Sequence, residues 1–94
     1  MKNDDLSRIY TISDEVAHRE IEGQILILRP DDNFLYTLNG SGRFIWLGIA
    51  KKKKLSSIVK GVSKEFRIPE DSARRDVMEF VKDLEAKGIL SKKG

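Results

Sequence analysis

The chain has 94 residues, of which 39% are hydrophobic and 35% charged, with no cysteine and a formal net charge of +3. That length sets one domain with a modest core, and the missing thiols exclude disulfides, thiolate zinc sites and a cysteine nucleophile. No run approaches the roughly 20 apolar residues of a membrane span, and the acidic, polar start is unlike a secretory signal, so a cytoplasmic protein with no membrane partner is expected. The charge is lopsided: residues 1–47 carry five Lys and Arg against eight Asp and Glu, while residues 48–94 carry thirteen against seven. A basic half of this kind fits nucleic acid or an acidic partner, and a lysine run such as 51–54 equally fits a solvated loop.

Residues 1–13 hold few apolar anchors (Leu6, Ile9, Tyr10, Ile12) and are expected to form a loosely ordered arm. Within it, residues 9–12 can pair as extended chain. A single domain over residues 14–91 follows. Residues 16–22 spell a polar-rich strand, and Glu22-Gly23 supplies a tight turn. Residues 24–28 form a near-continuous apolar run, the pattern of a central strand. Residues 29–33 contain Pro30, Asp31, Asp32 and Asn33, a strong turn signal. Phe34, Leu35, Tyr36, Thr37 and Leu38 then make a third strand, at the edge of an antiparallel meander. Period-two alternation puts Phe34, Tyr36 and Leu38 on one face and Leu35 with Thr37 on the other. An edge strand usually carries a lysine, a proline or a bulge that deters pairing, and this one has none.

Helix chemistry begins after Asn39. The first helix is expected from Asn39 or Ser41 to Ala50, with Phe44, Leu47 and Gly48 on one face, Ile45 and Ile49 at its margin, and Trp46 off that stripe, either capping the domain edge or partly exposed. The second runs from Leu55 to Phe66 on the stripe Leu55, Ile58, Val59, Val62 and Phe66. The third spans residues 69–87: Pro69, Glu70 and Asp71 suit its start, and Lys87-Gly88 its stop. Ala73, Val77, Phe80, Val81 and Leu84 make its buried stripe. Arg74, Met78 and Glu85 lie on one flank, and Asp76, Asp83 and Lys87 on the other.

Catalytic constellations are missing. His18 is the single histidine, which excludes a two-histidine metal site, and a lone His in a charged strand reads as surface. Gly40-Ser41-Gly42 lacks the Gly-Lys-Ser/Thr of a phosphate loop, and Asn39-Gly40-Ser41 matches a glycosylation sequon without other signs of secretion. A non-enzyme without cofactor is expected. Three binding modes remain. A helix-turn-helix would use residues 69–87 with Arg74 and Arg75 on DNA, but the mixed charge of that helix is poor for phosphate. Alternatively, the bare edge strand could join two copies, the chain otherwise being a monomer or weak dimer. The third mode is β-augmentation, in which an extended peptide pairs with residues 34–38. Proline at Leu35 or Tyr36 is then expected to block pairing while the core stays folded.

From about Val16 to Leu90 the chain resembles the PqqD family, the peptide-binding chaperones of pyrroloquinoline quinone biosynthesis. It equally resembles the wider class of recognition elements for ribosomally made, post-translationally modified peptides. Tyr36-Thr37-Leu38-Asn39, Ile45-Trp46, Ile58-Val59-Val62 and Phe66 carry the resemblance. Asp76-Val77, Phe80-Val81, Leu84 and Lys87-Gly88-Ile89-Leu90 continue it through the last helix. The resemblance implies an α+β, winged-helix-like fold with a three-stranded antiparallel N-terminal meander followed by three helices. It also implies a leader peptide bound as an added strand on residues 34–38 against the third helix. The precursor peptide would be presented there to a modifying enzyme, often of the radical S-adenosylmethionine type. Asp76 matches the family's acidic position on that helix. Arg74, Met78 and Val81 are chosen as groove-lining residues from flank geometry, with the Asp76 and Asp83 flank as the competing choice.

Overall fold

The computed structural model describes residues 6–29 and 33–93, and its order of elements follows from local rules. Strands β2 (Ala17–Ile21) and β3 (Gln24–Arg29) are joined by Glu22 at φ 51° and Gly23 at φ 79°. Two central residues at positive φ make a type I′ turn, whose twist matches that of the strands it joins. Strand β4 (Phe34–Leu38) returns antiparallel along β3, giving the order β2-β3-β4 with β4 at an edge. The turn expected at Pro30, Asp31 and Asp32 lies outside the described residues.

Register fixes the two faces of the sheet. Ile25 pairs with Leu38 and Ile27 with Tyr36, while Leu26 pairs with Thr37 and Leu28 with Leu35. Residues directly opposite share a face. Ile25 and Ile27 are buried on the inner face, whereas Leu28 and Leu35 stand exposed on the outer one.

Three helices complete the α+β, winged-helix-like domain: α1 (Gly40–Ala50), α2 (Leu55–Phe66) and α3 (Glu70–Ala86). Helix α1 lies across the inner face of the sheet. An ion pair joins Arg43 to Glu20, and the ring of Trp46 meets that of His18 edge-on at 5.2 Å. Trp46 is only 1% exposed, which corrects the expectation that it caps the domain edge or is partly exposed. Helix α1 is covered by the sheet on one side and by α2 on another, so a residue off its main stripe is still enclosed.

Helix α3 ends in a Schellman motif. The Ile89 N–H donates to the Leu84 carbonyl at 2.9 Å and the Gly88 N–H to the Glu85 carbonyl at 3.0 Å, with Gly88 at φ 77°. These bonds satisfy carbonyls that the helix end would orphan, and glycine takes the left-handed position without a Cβ penalty. Ile89 is buried behind the stop.

The main addition to the expected architecture is a second pairing. Strand β1 (Tyr10–Ile12) runs antiparallel to β5 (Leu90–Lys92), with Tyr10 opposite Lys92. The described part of the arm expected to be loose is therefore held. Tyr10 is 3% exposed, and its hydroxyl donates to Glu85 Oε1 at 3.4 Å. The Leu6 and Arg8 carbonyls accept the Ser56 and Leu55 N–H groups at 2.7 and 3.0 Å. Lys54, which precedes α2, offers no side-chain cap, so the arm supplies the acceptors that a helix start needs. No helix of the described residues is long and apolar enough to cross a membrane.

Candidate functional site

The open side of β4 is the first component of the site, and its hydrogen-bonding groups can be assigned from register. A two-residue turn makes Ile21 and Gln24 a hydrogen-bonded pair, so Gln24, Leu26 and Leu28 turn their backbone groups toward β2. Alternation then turns Ile25, Ile27 and Arg29 toward β4, where Leu38, Tyr36 and Phe34 meet them. Leu35 and Thr37 are left. Their N–H and C=O groups point away from the sheet, into the space where a further strand would lie.

Side chains give this edge an inner and an outer wall. Tyr36 and Leu38 are half-buried on the inner face, and Leu35 is 56% exposed on the outer one. The Tyr36 hydroxyl accepts a long hydrogen bond from Arg29 Nη1 at 3.5 Å. Lys87 of the α3 terminus stands over the Tyr36 ring, its Nζ 5.8 Å from the centroid, and is held by Asp83 at 2.5 Å. Further along, Gly42 of α1 lies between Leu38 and Phe80, and a Cβ added there would sit 3.6 Å from each side chain. Tyr36, Leu38, Phe80 and Lys87 thus mark where β4 comes nearest to α3.

These contacts decide which flank of α3 looks at β4. At about 100° per residue, Asp76, Phe80, Asp83 and Lys87 fall within about 60° of one another. Arg74, Met78, Val81 and Glu85 form a second group about 160° away. Lys87 and Phe80 place the first group toward β4, and the Tyr10–Glu85 bond places the second toward β1. The residues expected to line the groove, Arg74, Met78 and Val81, thus lie on the flank of α3 that faces away from β4. Val81 is fully buried and Met78 is 8% exposed, both in the core behind the helix. Arg74, paired with Asp71 at 3.7 Å, borders a shallow hollow of about 420 Å³ with Arg75, Met78, Glu79 and Lys82. Asp76 is on the β4 flank. Phe80 and Lys87 were absent from the expected site, although the stripe Asp76, Phe80, Asp83, Lys87 is visible at i, i+4, i+7, i+11 in the sequence.

Outward main-chain groups beside exposed apolar side chains suit pairing with an extended chain. No charged side chain among the described residues is buried. Nor do those residues contain a group of three His, Cys, Asp or Glu able to hold a metal ion. Burial pushes the Tyr10 hydroxyl above its ordinary value, with the Glu85 carboxylate adding to the effect, but Tyr10 lies on the far flank of α3.

A family model described as coenzyme PQQ synthesis protein D (PqqD) matches residues 24–90. Two solved structures share the fold with a TM-score of 0.80 each. One is TbiB1 in complex with the TbiA(beta) leader peptide, at 25% identity over 86% of this chain and 94% of that one. The other is a lasso peptide synthetase B1 complexed with the leader peptide, at 15% identity over 87% of this chain and 96% of that one. No curated protein sequence matches.

Proposed function

The chain belongs to the PqqD family, and on that premise we propose that it is a non-catalytic peptide-binding protein that captures the leader of a ribosomally made precursor. Capture occurs by β-augmentation on β4, and the bound precursor is presented to a modifying enzyme, of the radical S-adenosylmethionine type or another. The observation that carries this reading is the open edge itself. Leu35 and Thr37 hold four backbone hydrogen-bonding groups outward, on a strand without lysine, proline or bulge. A solvent edge left so bare is a template for pairing.

An added strand would alternate its side chains across the edge. One set would lie on the inner face beside Tyr36 and Leu38, toward Phe80 and Lys87 of α3, and the other would lie beside Leu35. Main-chain bonds give affinity in this mode and the alternate pockets give specificity. The likeness to TbiB1, solved in complex with a leader peptide, supports a leader peptide as the ligand here. The helix-turn-helix alternative finds no comparable support, since the outward surface of α3 mixes Asp71 and Glu79 with Arg74, Arg75 and Lys82.

Amide exchange tests the proposal directly. In the free protein the Leu35 and Thr37 amides should exchange quickly while those of Tyr36 and Leu38 are protected. Adding the cognate leader peptide should slow Leu35 and Thr37 by at least about tenfold, as expected for newly bonded amides. Protection gained on α2 or the outer hollow of α3, with Leu35 and Thr37 unchanged, would overturn it.

A further inference from the structure

A second binding feature lies between α1 and α2, apart from the β4 edge. Phe44, Leu47 and Ile58 enclose a hollow of about 130 Å³ with Gly48, Gly61 and Ser57, and Lys51 and Lys53 stand at its mouth. Its volume is roughly that of four waters in the liquid, enough for one large apolar side chain. Two glycines let the helices approach closely enough to shape it. A Cβ on Gly48 would lie 2.9 Å from Ile58 Cγ1, and one on Gly61 would lie 3.0 Å from Phe44 Cε2. The Phe44 ring is steadied from behind by an edge-on contact with Phe66 at 5.8 Å between centroids.

The lysines are fixed by the backbone. The Lys51, Lys52 and Lys53 N–H groups donate to the Leu47, Ile49 and Gly48 carbonyls at 3.1, 2.9 and 3.1 Å. Lys52 sits at φ 63°, a left-handed conformation that costs a non-glycine residue on the order of 1 kcal/mol. Four successive lysines are thereby held in a tight turn, and neither Lys51 nor Lys53 has an ion-pair partner among the described residues. A chain that strains a turn to cluster like charges beside an apolar hollow has a complementary ligand in its chemistry: one apolar side chain flanked by carboxylates. Bare phosphate would satisfy the lysines but leave Phe44, Leu47 and Ile58 unused.

We propose that this hollow docks an acidic segment of the modifying enzyme, with one apolar side chain inserted between Phe44, Leu47 and Ile58 and its neighbouring carboxylates on Lys51 and Lys53. The assignment of the partner rests on the leader-presenting reading above. It gives the enzyme a handle on the helical side of the domain, so that β4 stays available to the peptide.

The test is a titration of the isotope-labelled full chain, read by amide chemical shifts. The probe is a blocked pentapeptide, Glu-Asp-Phe-Asp-Glu. Saturable shifts are expected at Gly48, Lys51, Lys53, Ser57 and Gly61. They should weaken by about tenfold or more when the central Phe is Ala, since the inserted side chain supplies the apolar contact. The Lys51→Glu/Lys53→Glu variant, folded by circular dichroism, should lose the shifts and still bind leader peptide as the parent does. Absent or unsaturable shifts, shifts centred on β4, or a short DNA duplex moving the same amides at lower concentration would each overturn the proposal. Leader peptide added to the same sample separates the two readings. If leader binds and the pentapeptide does not, only the docking hollow fails; if leader does not bind, the leader-presenting reading fails by itself.

Discussion

Replacing Thr37 by proline separates the free edge of β4 from its paired side. The Thr37 N–H points outward and its side chain is exposed, so proline removes no bond within the sheet. The remaining cost is the poorer fit of proline to a strand, about 1–2 kcal/mol, against a typical domain stability of about 5–15 kcal/mol. Peptide binding should suffer far more. The variant forfeits one hydrogen bond, worth about 0.5–1.5 kcal/mol net, and leaves a peptide carbonyl unpaired at about 1–3 kcal/mol more. The combined loss of about 1.5–4.5 kcal/mol is roughly a 10- to 2,000-fold rise in Kd. Isothermal titration with the cognate leader peptide measures it, with Thr37→Val as a control that keeps the backbone donor and should bind like the parent. Tyr36→Pro is a different experiment. Because Tyr36 faces Ile27, the substitution breaks the β3–β4 ladder and should unfold the sheet, contrary to the expectation that Leu35 and Tyr36 are interchangeable. Thr37→Pro binding leader within about threefold of the parent would refute the edge assignment, because the free-energy loss would then be under about 0.7 kcal/mol.

Three other outcomes follow from the same geometry. Phe80→Ala or Lys87→Ala should weaken leader binding by about tenfold, and Arg74→Ala by less than twofold, in the same titration. Arg67 closes α2 at φ 56°, so Arg67→Gly should stabilise the domain by about 0.5–1 kcal/mol in denaturant unfolding. Tyr10 has its pKa raised in the folded state, so the neutral hydroxyl is the stabilising form. That stability is present in full below the unfolded value near 10 and is lost as pH rises through the folded one. Urea unfolding of the parent should lose stability above about pH 10 more steeply than that of Tyr10→Phe, which has no proton to release there.

Much of this architecture is legible in the sequence because its signals are local. The stripe Leu55, Ile58, Val59, Val62 has one reading, and α2 runs from Leu55 to Phe66 as expected. Glu22-Gly23 makes the tight hairpin turn, and β4 spans Phe34–Leu38. What is not legible is set at long range: residues 9–12 read as chain able to pair, but not with which partner. Tyr10–Ile12 and Leu90–Lys92 are three residues each, with no alternation long enough to read, and only their pairing across the chain makes them strands. The α3 flank was open for a related reason. A helical wheel shows two polar flanks beside one apolar stripe, and only the position of β4, seen through Lys87 on Tyr36, selects between them. Trp46 was misplaced because a single stripe cannot report a helix enclosed from two directions. The outward amides of Leu35 and Thr37 needed only the turn length and the register, both latent in the hairpin sequence.

The β1–β5 pairing also sets an order of events. Joining Tyr10 to Lys92 closes a loop of about 80 residues, an entropic cost on the order of 4 kcal/mol that local hairpins do not meet. The β2-β3-β4 meander can therefore form early from neighbouring segments, while the clasp at the ends closes late and, being three pairs long, opens first. Its opening withdraws the Leu6 and Arg8 carbonyls from the first turn of α2, so Leu55, Ser56 and Lys93 should lose amide protection as one unit. Opening of the β1–β5 pair thus reaches into the first turn of α2 and leaves the β3–β4 ladder intact while it happens.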